Sequence, residues 1–545
     1  MMSKIKIFSL GGLDENGKNT YVIEIDKNIF VFDCGLKYPT GNMLGIDYII
    51  PDFDYLIKNK KRVKGVFLTH GHYENMGGVS DLVKNIPDIK LFATKFTKYE
   101  LMESGVPEKK IMEITPHKKL NFGSVSIFPI TVSHSCPDAV MYVINTKDGA
   151  ICYTGDFIID SKMTGRYDMD LGRIAYVGKQ GVLCLLSESM FSERVGHTSP
   201  THRLEDFFKD IVNKYNSRLL FLVLPTHLYT IQDILNSALN KHRKVILMGK
   251  KLQNVVNFSK KEGYLNFPDD LLGDLSNIED EDAILLMSDD KENPYASISK
   301  VLNGYDRYIH LKPTDTVIFA EPRYDSNEKL LVKIENDLAM FGCRIIGIPK
   351  DKNILHHASS EDLMLMLKLT NPKYYMPVKG EYRYLVENAN LASSLGIPKE
   401  NIILKQNGDV VNFEDGKLID KAEHIKVNDI LIDGKSSDDV GELVIKDREM
   451  LSENGIVLIS ATLSKKTKTL LVGPEVTTRG FIYVKDSKEI IHEIKRISED
   501  VITRNIVDNF VDFNKIKTEI RTELSKYLYE ETECKPMIIA VVQEV

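Results

Sequence analysis

The sequence predicts a multidomain chain of mixed α/β (α+β) class, with a sheet-rich first part, an inserted parallel α/β unit and a small C-terminal α/β domain. Three observations predict it. Short apolar segments bounded by Gly- and Asn-rich turns fill the first two hundred residues, which is strand grammar. From about residue 201 helix and strand alternate, a pattern that favours a parallel sheet. At 545 residues the chain is too long for one hydrophobic core, so two to four domains are expected.

Segments 5–10, 20–25 and 29–33 alternate or run apolar and open the chain as an antiparallel meander. Further strands are expected at 63–68, 90–93, 125–132, 141–145 and 150–154, each ending near a polar or histidine-bearing loop. The alternating region predicts a helix at 202–215, a strand at 219–224, a helix at 231–240 and a strand at 244–248. Strands at 284–287 and 316–320 and a helix at 327–341 continue it. A strand at 344–348, a helix at 359–369 and a strand end at 374–376 follow. The Asp- and Lys-rich stretch 414–440 reads as a linker, with Ile430-Leu431-Ile432 inside it as a segment that pairs elsewhere. The last hundred residues predict strands at 456–461, 470–471 and 537–542 and helices at 490–501 and 513–528.

With 43% hydrophobic and 27% charged residues the composition is that of a soluble globular protein. The apolar runs, such as 181–186, fall far short of the ~20 residues of a membrane span. The N-terminus lacks the long apolar segment of a secretory signal, so a cytoplasmic location and no membrane association are expected. Six dispersed cysteines without a Cys-x-x-Cys pair read as reduced core residues. A net charge of −7 excludes a uniformly basic coat but not a local groove for nucleic acid. The basic clusters 58–62 and Lys250-Lys251 read as solvated turns.

The motif that carries chemistry is His70-Gly71-His72-Tyr73-Glu74-Asn75, where two histidines leave the apolar run Val66-Phe67-Leu68 and enter a loop. Neutral imidazoles at such a strand end converge readily on a cation. A third strand-end histidine, His134, follows segment 125–132, and Asp156 ends segment 150–154 beside Gly155. Each signal is weak alone. Together, His70, His72, His134 and Asp156 make a complete N₃O shell for one Zn2+ or Mn2+.

On these residues the chain resembles the ribonuclease J family, the metallo-β-lactamase/β-CASP RNA nucleases. The resemblance extends through Ser9–Thr20, Gly45-Ile46-Asp47-Tyr48, Pro377-Val378-Lys379-Gly380-Glu381-Tyr382-Arg383, Arg448–Ser452 and Gly473–Phe481. It implies a metallo-β-lactamase αββα sandwich from 1–200 and 346–405, a β-CASP domain at 201–345, a linker at 406–439 and an assembly domain at 440–545. The activity it implies is hydrolysis of RNA, from a single-stranded 5′-monophosphate end or internally, with two metal ions that activate water and stabilise phosphate charge.

The departures are as informative. The family's second metal takes Asp and His of a His-x-His-x-Asp-His motif, the bridging Asp, and a later His; here those positions hold Glu74, Asn75, Asp156 and Lys379. Glu74 retains a carboxylate that can still ligate a metal or act as a base, but Asn75 is a poor transition-metal ligand and protonated Lys379 has no lone pair. At most one ion per chain is therefore expected. The phosphate-gripping positions implied by the resemblance have also drifted, to Leu355-His356-His357, Ser187-Glu188-Ser189 and Thr226-His227. By resemblance Glu74, Asp156 and His357 would be catalytic, and Ser187, Ser189, Thr226, His227, Leu355, His356, His357 and Lys379 would meet substrate. The chain looks most like the family's second, catalytically degenerate paralogue. An RNA-binding partner of an active ribonuclease J is the expectation, assembled as a homodimer or hetero-oligomer through the C-terminal domain. The alternative is an active one-metal nuclease with Glu74 as general base.

Overall fold

Alternation of side chains dictates the first sheet. In the computed structural model, which describes residues 3–39, 43, 45–288, 294–321, 328–349, 352, 356–434, 441–481, 488–507 and 510–545, strand Lys4–Gly11 runs antiparallel to Thr20–Ile25. Ile5 and Ile7 stand opposite Ile25 and Ile23, so all four share one buried face. Asn28–Phe32 pairs antiparallel with Thr20–Ile25 and parallel with Val63–Phe67, and Leu91–Ala93 and Ile111–Glu113 extend the parallel edge.

A second sheet runs Tyr374–Pro377, Val182–Ser187, Gly149–Tyr153, Val140–Thr146, Val125–Thr131, Leu120–Phe122. The two sheets face each other across one core, in which Phe30, Phe32 and Phe67 of the first meet Tyr142, Tyr153 and Leu186 of the second. Helices Leu171–Gln180, Ser360–Thr370 and Tyr382–Ser394 cover the outer face of the second sheet through Ile174, Leu363, Met366 and Ala392. Strand direction has a chemical consequence. Val125–Thr131, Gly149–Tyr153, Val182–Ser187 and Tyr374–Pro377 all point the same way, so the loops that follow them leave one edge of the sheet together.

The insertion is a five-stranded, wholly parallel sheet in the order Val245–Met248, Ile284–Met287, Leu219–Leu222, Thr316–Phe319, Arg344–Gly347. Its strands are apolar on both faces because a core lies on each side. Buried Arg218 anchors one end, with Nε and Nη2 donating to the two carboxylate oxygens of Asp315 at 2.9 and 2.7 Å.

By compactness the chain divides into Met1–Tyr38 with Tyr48–Asp429, and Pro39–Asp47 with Ile430–Val545. The second unit holds a sheet in the order Leu470–Arg479, Ile456–Leu463, Met537–Glu544, packed on helices Lys488–Arg504 and Phe513–Thr532 through Val457, Ile459, Ile494, Ile520 and Leu524.

Several expectations need correction. The stretch 406–439 is not a plain linker: Val411–Glu414 pairs with Lys4–Gly11, and Lys417–Ile419 extends that sheet, because Val411 and Phe413 alternate inward and join the core. The strand expected at 470–471 continues to Arg479, with register shifts that let it pass Gly473-Pro474. Helices Lys250–Lys261 and Tyr382–Ser394 were not expected, although Leu252, Val255, Val256 and Ser259 and then Leu385, Ala389 and Ala392 carry helical spacing. All six cysteines are free thiols, five of them buried. Among the described residues no helix is long and apolar enough to cross a membrane.

Candidate metal centre

Buried hydrogen bonds fix the strand-end loops before any ligand is considered. Thr69 follows strand Val63–Phe67, and both its N–H and its hydroxyl bond to Asp33, at 2.8 Å and 2.9–3.0 Å. Asp33 also accepts from Asn75 Nδ2 at 2.8 Å and from the Tyr153 hydroxyl at 2.7 Å. Burial pushes its carboxyl up to about 7 against the pull of these bonds. Gly155 turns at φ +58, and a Cβ there would meet Thr69 Cβ at 2.9 Å, so only glycine brings the Asp156 loop this close to the His70 strand. Asp33, His356 and Lys379 themselves sit at positive φ, a concentration of backbone strain around one centre.

Three of the predicted ligands meet. His72 Nδ1 lies 3.2 Å from His70 Nε2 and 3.1 Å from His134 Nε2, and the three imidazoles are buried. These separations are close to the ~3.3 Å edge of a tetrahedron with ~2.0 Å metal–nitrogen bonds. Outer partners set the tautomers. The Thr69 hydroxyl gives its proton to Asp33 and so accepts from His70 Nδ1 at 2.9 Å, while His134 Nδ1 donates to the His356 carbonyl at 3.0 Å. Both Nε2 lone pairs therefore face the centre. Burial pulls His70 down to about 3, against the opposing charge of Asp156, and holds His72 and His134 well below the ordinary histidine range. His72 Nε2 and Asp156 Oδ1 are buried without a hydrogen-bond partner among the described residues. Neutral, inward-facing nitrogens beside an unsatisfied carboxylate oxygen fit one divalent ion.

Around Asp156 the chemistry differs. Its Oδ2 lies 3.4 Å from His70 Nε2 and forms an ion pair with Lys379 Nζ. That ammonium also lies 3.5 Å from Asn75 Oδ1 and 3.8 Å from Glu74 Oε1, and Lys379 is only 1% exposed. Burial alone would lower the lysine pKa, but Asp156, Glu74 and Glu188 overcome it and the net shift is upward. Burial would raise Asp156, and Lys379 with the nearby histidines holds it below the usual carboxylate range instead. Glu74, 3.9 Å from His72 Nδ1, is shifted upward because burial outweighs Lys379. The donor set here does not fit a second ion, since an ammonium already stands among Glu74, Asn75 and Asp156.

The remaining predicted residues fall into three groups. His357 Nδ1 bonds to Glu188 Oε2 at 2.6 Å, and Asp156, Glu188 and His357 form a second cluster beside the histidine trio. The His227 ring lies 5.2 Å from the His72 ring, the Thr226 hydroxyl is buried without a partner among the described residues, and the His356 ring is buried 6.4 Å from that of His134. Ser187 is buried at its strand end, and Ser189 engages the Val378 carbonyl at 3.0 Å and Asn388 Nδ2 at 3.0 Å, a structural role within the loop. Leu355 lies outside the described residues. Sequence reasoning missed Asp33, Tyr153 and Glu188 as parts of the centre. The strand-end rule applied to histidines would also have flagged Asp33. The Lys250-Lys251 pair is not a solvated turn, since Lys251 is 8% exposed.

Comparisons with known proteins agree with this architecture. Residues 30–171 match the Beta-lactamase superfamily domain, 216–338 the Ribonuclease J, beta-CASP domain, and 443–545 the Ribonuclease J C-terminal domain. The chain is 35% identical over 549 residues to Ribonuclease J2 of Bacillus subtilis (strain 168), covering 99% of each. It is 33% identical over 549 residues to Ribonuclease J 2 of Staphylococcus epidermidis and of Staphylococcus aureus, covering 99% of this chain and 98% of each relative. A solved protein of unknown function from Enterococcus faecalis V583 shares the fold at a TM-score of 0.53 and 16% identity, over 75% of this chain and 100% of that one.

Proposed function

The chain belongs to the ribonuclease J family, and from that premise we propose that it is an RNA-binding subunit of RNA processing and decay, weakly active or inactive alone, that partners an active ribonuclease J. The observation that carries the reading is the Lys379 ammonium, buried against Asp156 and beside Asn75 and Glu74. A divalent ion about 4 Å from that ammonium would be repelled by about 8 kcal/mol at an effective dielectric of about 20. That is comparable to much of the binding energy of a metal site, so the second ion is excluded. His70, His72, His134 and Asp156 hold one ion, Zn2+ or Mn2+. When bound, such an ion supplies Lewis-acid polarisation of a phosphate oxygen. Lys379, buried and paired with Asp156, offsets the carboxylate charge facing a single-stranded 5′-monophosphate RNA, and with no lone pair it supplies no general base.

A second reading keeps the chain as a one-metal nuclease. It draws support from Glu74, whose side chain is one-third exposed 3.9 Å from His72 Nδ1 and whose carboxyl is shifted upward, chiefly by burial, the direction that strengthens a proton acceptor. One experiment separates the two. Elemental analysis of the purified protein should return at most one transition ion per chain, lost in His72→Ala. Decay of 5′-monophosphate RNA should be weak alone and rise above the partner's own rate when an active ribonuclease J is added. Two ions per chain, or robust decay alone, would overturn the partner reading.

A further inference from the structure

Helix Lys250–Lys261 of the insertion packs against helix Lys95–Glu103 of the sandwich. The rings of Phe258 and Tyr99 stack at 3.8 Å and 7°, Lys95 pairs with Glu262, and Asn254 Nδ2 donates to Glu103 at 3.1 Å. These contacts hold two surfaces together and involve no ligand. Lys251 is different. Gly249 stands two residues before it at φ +116, where a Cβ would lie 2.3 Å from the Ser288 carbonyl oxygen, so only glycine lets the helix start this close to Ser288, and Lys251 itself is buried. Its Nζ donates to the Tyr73 hydroxyl at 2.7 Å, lies 4.3 Å from the centre of that ring, and stands 3.4 Å from Oε2 of wholly buried Glu100.

Tyr73 sits between His72 and Glu74. His72 caps the short helix Tyr73–Met76, its carbonyl accepts the N–H groups of Asn75 and Met76 at 3.0 Å, and the Tyr73 carbonyl accepts those of Leu36 and Gly77 at 3.0 and 2.8 Å. The ligand turn is thus fixed by backbone bonds on one side and by a side chain from the inserted domain on the other. A buried ammonium costs several kcal/mol unless paired, and Glu100 supplies the pairing. The hydroxyl bond and the ring contact add direction to that charge.

We infer that Lys251 is a positioning residue for the metal centre: the inserted domain holds Tyr73, and through it the His72 turn, in the geometry that closes the histidine trio. This rests on the reading of that trio as an ion site. Outer partners of a metal ligand typically change affinity by about 10–100-fold when removed. Lys251→Met alone would take a buried cation away from Glu100 and destabilise the fold, so the informative variant is Lys251→Met with Glu100→Gln, beside Tyr73→Phe and Lys251→Arg.

The probe is Co2+, titrated into the metal-free full-length protein and followed by its visible absorption. In a double variant that unfolds at the wild-type temperature, Co2+ should bind about tenfold more weakly and with a shifted absorption band. Tyr73→Phe should show a smaller change in the same direction, and Lys251→Arg should stay close to wild type. Unchanged affinity and an unchanged band in the folded double variant overturn the inference. If the wild type itself takes up no Co2+, the ion-site reading fails instead. The positioning role is then decided by hydrogen exchange at the Asn75, Met76 and Gly77 amides, which must quicken in the double variant and recover with arginine.

Discussion

Lys379 places an ammonium within a fixed frame. The backbone around it is held by an isolated bridge between Glu15 and Gly380 and by the Lys379 N–H on the Gly12 carbonyl at 3.0 Å. On the proposed reading the lysine sets charge and lone pairs at this position and leaves the frame to the backbone. Restoring the pattern that the family resemblance implies tests this directly. The combined change Glu74→Asp, Asn75→His and Lys379→His should raise metal content toward two ions per chain and increase RNA cleavage. Each single change should do little, because the ligands act together. Two ions without any gain in cleavage would place the limit at the phosphate-contact positions that the resemblance implies, Leu355, His356 and Thr226. The candidate ligands His70, His72, His134 and Asp156 were legible in the sequence because few residue types bind transition ions and each stood at a strand end. Glu188 and Tyr153 were not, since a carboxylate or phenol becomes part of a centre only through what faces it across the fold.

At the scale of elements, strand direction gathers the site and helix burial brings a titration of its own. Asp233 lies on helix Leu228–Asn240 and is 9% exposed; burial, then Glu205 and Asp206, hold its carboxyl up to about 7 from an ordinary 3.8. The unfolded chain ionises Asp233 near pH 4 and the folded chain only near 7, so the folded state binds more protons between these limits. Its stabilising contribution is full below about pH 4 and is lost as pH rises through about 7. Asp233→Asn should therefore be more stable than wild type at pH 8, and the difference should shrink toward pH 4, as read by urea unfolding at both pH values. An equal difference at the two would show that the carboxyl does not titrate in this window. Strands such as 20–25 and 63–67 were legible from apolar runs between turns. Helix Lys250–Lys261 was missed although Leu252, Val255 and Val256 carry helical spacing, because lysines and asparagines at the other positions make the segment read as a solvated turn.

At the scale of the whole molecule, the second compact unit has a core of its own, built on Ile459, Ile494, Ile520 and Leu524. Its separate core suits a unit that serves assembly rather than the fold of the rest. Removal of residues 440–545 should leave a cooperatively unfolding protein whose mass by light scattering is that of a monomer, whereas the full chain should be larger. Equal oligomers before and after truncation would sink the assembly role. The sequence by itself determined the division into sheet-rich, alternating and C-terminal parts, and it named His70, His72, His134 and Asp156. Both kinds of information are local, carried by periodicity and by the lone pairs of particular residue types. Only the tertiary structure decided that Lys379 points inward to Asp156, that 411–414 completes the first sheet, and that Lys251 reaches the His72 turn. Each of these depends on residues far apart in the chain, whose approach follows from how the sheets and the insertion pack and leaves no trace in spacing.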